Sequence, residues 1–316
     1  MKKLAFIFPG QGSQSLAMGK ALYEEFDIAR STMDEASDAL GFDLKALCFT
    51  GPVEDLNSTE NTQPALLATS IMALRVLEAE FGAALKPDFV AGHSLGEYTA
   101  LVAAGVLDYA VAVRLVHARG RFMQDSASGD VVGRMAAIIG LDTAKVIEVC
   151  SEASKDGEPV VAANINSPGQ VVISGHISAV ERASKLAKEA GAKRAIELPV
   201  SVASHSPLMA AAAEGFDSEE LSKVNWGGFN VPLVSNVEAK VTDDSSEVRS
   251  LLKRQLTSPV RWVEVIECLK EEGVEALVEV GTGKVLTGLV KRIDRAIETL
   301  NFGLPEDLDK LKEAFA

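Results

Sequence analysis

Cysteine is scarce and scattered. Cys48, Cys150 and Cys268 stand far apart, and no CxxC pair exists. That excludes a disulfide framework and a zinc site of paired cysteines, and it predicts a reduced, cytoplasmic protein. Positive charge is short as well: 31 Lys and Arg stand against 45 Asp and Glu, a net charge of −14. An acidic surface argues against wrapping nucleic acid or coating an anionic membrane. Aromatics are few, with 2 Trp, 3 Tyr and 12 Phe, so base-stacking platforms are lacking. Long apolar runs are absent. Leu4-Ala5-Phe6-Ile7-Phe8 follows Lys2 and Lys3 but is stopped by Pro9-Gly10, short of the roughly 7–15 residues of a signal-peptide core. The stretch from Ala100 to Leu107 falls far below the ~20 residues a membrane span needs. The sequence therefore predicts no secretory leader and no membrane partner.

What remains is an ordinary globular balance. Of 316 residues, 47% are apolar and 24% charged, enough for one or two domains. Leu4–Phe8 reads as a buried strand ended by Pro9-Gly10. Gln63–Phe81 reads as a helix with Pro64 near its start, Asp88–Ala91 as a strand, and Leu95–Ala104 as a helix stopped by Gly105. Asp108 is placed to cap a helix running to about Met123. Strands followed by helices predict an α/β layer with a mostly parallel sheet. The middle differs. Strand Arg134–Leu141, helix 143–154, strands Val160–Asn166 and Gln170–Ser174, helix Ile177–Ala190 and strand Arg194–Leu198 give β-α-β-β-α-β, the ferredoxin-like order. This predicts a small subdomain over 128–199, inserted in a discontinuous core of 1–127 and 200–316. Past Pro199 the larger pattern resumes: a helix from Pro207, strand Pro232–Val237, helices Ser246–Gln255 and Val260–Glu272, strand Ala276–Val280, and a helix from about Val285.

Gly92-His93-Ser94-Leu95-Gly96 matches G-x-S-x-G between a predicted strand and a predicted helix. That is the context a nucleophile elbow requires. The turn exposes Ser94, and the helix that follows aims its unpaired N–H groups at the same spot. The plainer reading is a Gly/Ser turn at a strand–helix junction. A serine nucleophile needs a base, and four histidines exist: His93, His117, His176 and His205. His93 adjoins Ser94, but neighbours on a tight turn point apart. His117 lies mid-helix, and His176 reads as a surface cap. His205 precedes Ser206-Pro207, a helix start, where the positive dipole end would keep it neutral; otherwise it is an ordinary loop histidine. Arg119 falls roughly 60° from the centre of its helix's apolar stripe, against roughly 80° and 100° for Arg114 and Arg121. An arginine so placed wants a carboxylate, from the protein or from a substrate. Gly281-Thr282-Gly283-Lys284 has the tail of a phosphate-binding loop but continues with Val285, not Ser or Thr, so no nucleotide site is predicted.

Further motifs stand in a fixed order. They are Phe8-Pro9-Gly10-Gln11-Gly12-Ser13-Gln14, Gly92-His93-Ser94-Leu95-Gly96-Glu97, Arg119-Gly120, Asn166-Ser167-Pro168-Gly169-Gln170, Ser204-His205-Ser206, Gln255-Leu256-Thr257-Ser258-Pro259-Val260-Arg261-Trp262 and Glu279-Val280-Gly281. With them nearly the whole chain resembles the malonyl-CoA:acyl carrier protein transacylases of bacterial type II fatty acid synthesis. The resemblance implies an α/β-hydrolase-like core with a ferredoxin-like insertion. It implies transfer of a malonyl group from malonyl-CoA to acyl carrier protein through a serine ester, with no metal or redox cofactor. Residue by residue, it implies Ser94 as nucleophile, His205 as base, and the backbone carbonyl of Gln255 as the acceptor that orients the histidine. The N–H groups of Gln11 and Leu95 would form the oxyanion hole, and Arg119 would grip the malonyl carboxylate. In related polyketide acyltransferases the residue before the histidine tracks extender choice, with Phe typical of malonyl and Ser of methylmalonyl; here it is Ser204.

Other readings share the elbow. A serine esterase or thioesterase would place an acid between Ser and His and the His late in the chain. Here His205 comes 111 residues after Ser94 with 111 more behind it, and no acid stands out. A polyketide acyltransferase, or a carrier-binding module without catalysis, would keep the same fold. Acyl carrier proteins of the pathway are acidic, as the resemblance implies, so an acidic enzyme needs a local basic patch to dock one. Lys291, Arg292 and Arg295 are predicted close together on one helix, with Lys284 before them; Lys291 and Arg292 are the docking candidates. Lys193 and Arg194 are a second cluster.

Overall fold

The computed structural model describes residues 2–126, 133–200 and 202–315. The chain opens with β1 (Leu4–Phe8), then five helices, α1 (Lys20–Glu25), α2 (Asp27–Leu40), α3 (Leu44–Thr50), α4 (Val53–Asn57) and α5 (Thr59–Phe81). β2 (Phe89–Gly92), α6 (Gly96–Ala103) and α7 (Tyr109–Asp125) complete the first half of the core. The small unit is β3 (Gly133–Ile139), α8 (Thr143–Ala153), β4 (Val160–Ser167), β5 (Gln170–His176), α9 (Ile177–Glu189) and β6 (Arg194–Glu197). The core resumes with α10 (Ala210–Glu219), β7 (Leu233–Val234), β8 (Val241–Thr242), α11 (Ser245–Gln255) and α12 (Trp262–Glu271). It ends with β9 (Ala276–Val280), α13 (Val285–Ile293), β10 (Glu298–Phe302) and α14 (Asp307–Phe315).

The large sheet runs β10-β9-β1-β2-β7-β8. All its pairs are parallel except β7 with β8. β1 and β9 are buried along their whole length, as parallel strands covered on both faces must be. Strand alternation sorts their side chains into two cores. Phe6, Phe8, Val90 and Val278 pack under the helices of the first half. Ala5, Ile7, Ala91 and Leu277 pack against Val265, Ile266 and Leu269 of α12 and Leu286 and Val290 of α13. The small sheet is antiparallel, in the order β4-β5-β3-β6, which is the ferredoxin-like arrangement. One face, with Ile138, Val171 and Ile173, buries the apolar sides of α8 and α9. The other, with Met135 and Val172, looks across a cleft toward the core. These strands all fall inside the expected 128–199 segment, while its boundary at 127/128 lies outside the described residues.

Several expected boundaries move, each for a visible reason. α5 begins at Thr59, not Gln63, so Pro64 lies inside it. The expected strand Pro232–Val237 ends at Val234, because Ser235 turns back through bonds with Lys240 and Ala239 and frees Asn236. The helix expected from Val260 begins at Trp262. Val260 instead bonds Ala163 and Ile165 of β4, tying the core to the small sheet. The helix expected from Pro207 starts as a 3-10 turn, Pro207–Met209, capped by Ser206. Helices α1 to α4 and α14, and strands β8 and β10, were not legible as elements. No helix among the described residues is long and apolar enough to cross a membrane.

Candidate active site

The elbow follows from what glycine lacks. A Cβ on Gly92 would come 1.9 Å from the Gly96 carbonyl carbon, and one on Gly96 would come 2.1 Å from the Phe8 oxygen. Only bare glycines let β2, α6 and the end of β1 approach this closely. Ser94, between them, is held at φ +51°, in the left-handed region that costs a side-chain-bearing residue about 1–3 kcal/mol. That conformation lifts its hydroxyl off the carboxyl end of the sheet, where open α/β sheets bind ligands.

His205 arrives from the other half of the core, also left-handed, at φ +60°. Its Nε2 lies 2.8 Å from Ser94 Oγ. Its Nδ1 lies 2.7 Å from the Gln255 carbonyl oxygen. A carbonyl only accepts, so Nδ1 carries the proton and Nε2 is left to accept from the serine hydroxyl. Burial first, and the Arg119 guanidinium second, push the His205 pKa down to about 3. The sequence reading placed the cause at the helix N-terminus; burial and Arg119 do that work instead. The ring is therefore neutral through the physiological range.

Arg119 is the buried arginine of α7, 1% exposed, while Arg114 and Arg121 are exposed. Its Nη1 donates to Gln63 Oε1 at 2.8 Å. Its Nη2 donates to Gln255 Oε1 at 3.0 Å and reaches Ser94 Oγ at 3.3 Å. The guanidinium also lies over the Tyr98 ring, 5.4 Å from its centroid. Among the described residues Arg119 forms no ion pair. Of the two partners open to it in the sequence, the protein supplies no carboxylate at contact distance.

A cavity of about 550 Å³ opens over these groups. Gln11, Ser94, Leu95, Arg119 and His205 line its core side; Met135, Asn164, Asn166 and Val172 line the small-sheet side; Ser204 is also in the wall. The backbone N–H groups of Gln11 and Leu95 have no acceptor among the described residues, which leaves them free to receive an oxyanion. The Ser94 N–H, by contrast, is consumed by Asn236 Oδ1 at 2.7 Å. Together these groups suit acyl transfer: a hydroxyl with a neutral base, two unpaired N–H groups, and a buried cation beside the hydroxyl.

Four residues here had no assigned role. Asn236 holds both sides of the elbow, its Nδ2 also donating to the Gly92 carbonyl at 2.6 Å. Gln63 supports Arg119. Asn166 pairs with His93 Nε2 at 2.8 Å, a cross-link between elbow and small sheet that fixes His93 away from Ser94. Glu97 lies beneath the site, 1% exposed. His176 caps α9 by accepting from the Ser178 N–H, and His117 pairs with Glu60; both are outside the site. The docking candidates are not brought to the cavity. Lys291 and Arg292 are exposed, and Arg292 Nη1 donates to Gln170 Oε1 of the small sheet at 2.5 Å. Arg295 lies past the end of α13 and Lys284 before its start, so the expected single-helix cluster shrinks to Lys291 and Arg292.

Residues 5–299 match the family model of the acyl transferase domain. The chain belongs to the acyl transferase family. Its sequence is 52% identical over 293 residues to the malonyl CoA-acyl carrier protein transacylase of Escherichia coli K12, covering 93% of each chain. The fold of this acyl transferase matches a crystal structure of an acyl carrier protein S-malonyltransferase from Vibrio cholerae, with a TM-score of 0.93, 47% identity, and 98% and 99% of the two chains covered. It also matches a malonyl-transacylase solved in complex with its type II polyketide synthase acyl-carrier protein. That match has a TM-score of 0.94, 46% identity and 99% coverage of both chains.

Proposed function

We propose that this acyl transferase moves a malonyl group from malonyl-CoA to the phosphopantetheine thiol of an acyl carrier protein, for fatty acid synthesis. The observation that carries the reading is Arg119: a buried guanidinium without an ion-pair partner among the described residues, 3.3 Å from the Ser94 hydroxyl. An acyl group esterified to Ser94 with a carboxylate at its far end would place that charge on Arg119, and malonyl is such a group. The relatives named for malonyl transfer, and the one solved with its carrier protein, support the same reading.

The steps follow from the geometry. Ser94 Oγ attacks the thioester carbonyl as His205 Nε2 takes its proton. The Gln11 and Leu95 N–H groups receive the oxyanion. Collapse expels the CoA sulfur, which leaves as the thiol with the proton from His205. The carrier thiol then gives its proton to His205 and attacks the ester; Ser94 Oγ leaves and regains the proton. Through both halves the Gln255 carbonyl steadies the imidazolium, so no acidic third residue is needed. His205 supplies the proton transfers and the N–H groups the charge stabilisation, so the transfer runs without a metal or redox cofactor; CoA and phosphopantetheine enter as parts of substrates. Lys291 and Arg292 serve as a docking patch for the acidic carrier. Three unpaired cysteines fit a reducing cytoplasm. Intact mass after mixing with malonyl-CoA tests the reading: a malonyl adduct in the parent and none in Ser94→Ala is expected. An adduct in Ser94→Ala would overturn it.

A further inference from the structure

Glu97 is the acidic residue at the first turn of α6, one turn beyond the nucleophile, and it does not line the cavity. Its two oxygens are spent on two elements far apart in sequence. Oε1 accepts from the Asn236 N–H at 3.3 Å, and Oε2 accepts from Gln255 Nε2. Each partner in turn holds a reacting group. Asn236 accepts from the Ser94 N–H. Gln255 uses its backbone carbonyl on His205 Nδ1 and its Nε2 on the Ser94 carbonyl. The Gln255 Oε1 faces Arg119. Glu97 thus lies where the serine loop, the histidine loop and the arginine helix meet.

From this network we infer that Glu97 is a positioning residue: as an acceptor-only carboxylate it fixes the direction of the Gln255 and Asn236 hydrogen bonds and so the register of Ser94 against His205. The inference rests on the reading of those two as nucleophile and base. A carboxylate accepts from both donors at once. A protonated carboxyl, or the amide of Gln, turns a donor toward one of them. The bond on that side is weakened, and Gln255 or Asn236 must shift. The Gln255 backbone carbonyl bonds His205 Nδ1, so a shift of Gln255 disturbs the histidine.

The carboxyl is poised for this. Burial pushes its pKa up to about 7, against the opposing pull of the Gln255 and Asn236 donors and of Arg119 on α7. Tyr98, on the same helix, also faces it, with burial holding its phenol far above the usual range. His205, on its loop, is held neutral. So as pH falls through about 7, Glu97 takes up a proton while His205 does not, and the alignment is lost on the acid side. An acid limb of acylation near neutral pH belongs to Glu97.

The test is single-turnover acylation of the intact chain by malonyl-CoA and by acetyl-CoA, from pH 5.5 to 9, in the parent and in Glu97→Gln. The parent should show an acid limb near pH 7 with both donors. Glu97→Gln should be slower by about 10- to 100-fold with both, the scale of a displaced reacting group. Its profile should be flat at the parent's low-pH rate. The malonyl-to-acetyl ratio should hold or rise, since Arg119 loses a neighbouring negative charge. Parent-like rates in the folded variant, a limb that survives the substitution, or a selective loss of malonyl would overturn the inference. Should the variant not fold, the parent decides. A flat profile refutes the role, and a limb across which the His205 ring resonances stay those of a neutral imidazole supports it. None of these outcomes touches the Ser94→Ala adduct, which tests the underlying reading separately.

Discussion

Replacing Arg119 with alanine probes acyl selection most sharply. A malonyl ester on Ser94 would bury a carboxylate in the cavity, and a buried carboxylate needs a charge-assisted partner. Arg119 is positioned to give it two N–H bonds in fork geometry, each worth about 1.5–3 kcal/mol when one partner is charged. Losing both takes about 3–6 kcal/mol from the transition state, or roughly 10²- to 10⁴-fold in kcat/KM. Water entering the vacated volume moves the expectation to the low end, about 10²-fold. Acetyl-CoA has no carboxylate to lose. It forfeits only the 3.3 Å contact between Arg119 and Ser94 Oγ, so its rate should change by less than about 10-fold. The assay is competition between the two thioesters, read as the ratio of malonyl to acetyl adduct by intact mass. A ratio lowered by about 10- to 100-fold is expected. An equal loss on both substrates would make Arg119 a prop for Gln63 and Gln255 and refute the specificity argument.

Other substitutions test other links. His205→Ala should slow acylation by roughly 10²–10⁴-fold, the usual worth of a general base, with single-turnover acylation as the measure. With a folded-state pKa down to about 3 against an ordinary 6.5, His205 also costs stability as pH falls below about 6.5, where the unfolded chain takes up a proton and the buried ring does not. His205→Ala should therefore flatten the parent's loss of stability between pH 6.5 and 4 in denaturant titrations. Gly96→Ala would place a Cβ 2.1 Å from the Phe8 carbonyl oxygen and should lower unfolding stability by about 3 kcal/mol or more; unchanged unfolding would mean the elbow is looser than described. The Lys291→Glu, Arg292→Glu pair should raise KM for the carrier, more at low salt, with malonyl-CoA acylation nearly unchanged; a parent KM across a salt series would place docking elsewhere.

Much of this fold was legible because its elements announce themselves locally. β1 is an unbroken apolar run, and β9 is apolar except for Glu279. Asp108 caps its helix as expected, and Asp142 does the same, each accepting from an N–H of the first turn. The small sheet's strands are set off by the Ser167-Pro168-Gly169 turn and by polar stretches between them. The unread elements lack such signals. α3 and α4 are short, with 7 and 5 residues, and β8 has 2, lengths at which periodicity means nothing. α2 is amphipathic but weakly apolar, and its burial depends on α5.

The site divides the same way. Ser94 is visible in its motif and Arg119 in its helical phase, because local geometry determines both. His205 stands out only as the histidine before a helix start and the Gln255 carbonyl only through the resemblance, and the fold brings them together from 50 residues apart. Glu97 closes the elbow motif but gained no role from it, and Asn236 and Gln63 carry no local mark at all. A buried Glu in Gly96-Glu97-Tyr98, an Asn after a two-residue strand and a Gln before Pro64 look like ordinary polar residues until the tertiary contacts exist. The direction of the His205 shift was legible from its neighbourhood, but its cause was not, since burial is a property of the assembled cleft.

The central claim is that an acyl group passes through Ser94 to a carrier thiol and not to water. It is tested most directly by isolating the enzyme after reaction with malonyl-CoA, removing free CoA, and chasing with a phosphopantetheinylated acyl carrier protein or with buffer. Mass spectrometry should show the malonyl group leaving Ser94 and appearing on the carrier within the turnover time, while the adduct persists in buffer. An adduct that discharges equally fast without the carrier, or one that the carrier does not accept, would contradict the account.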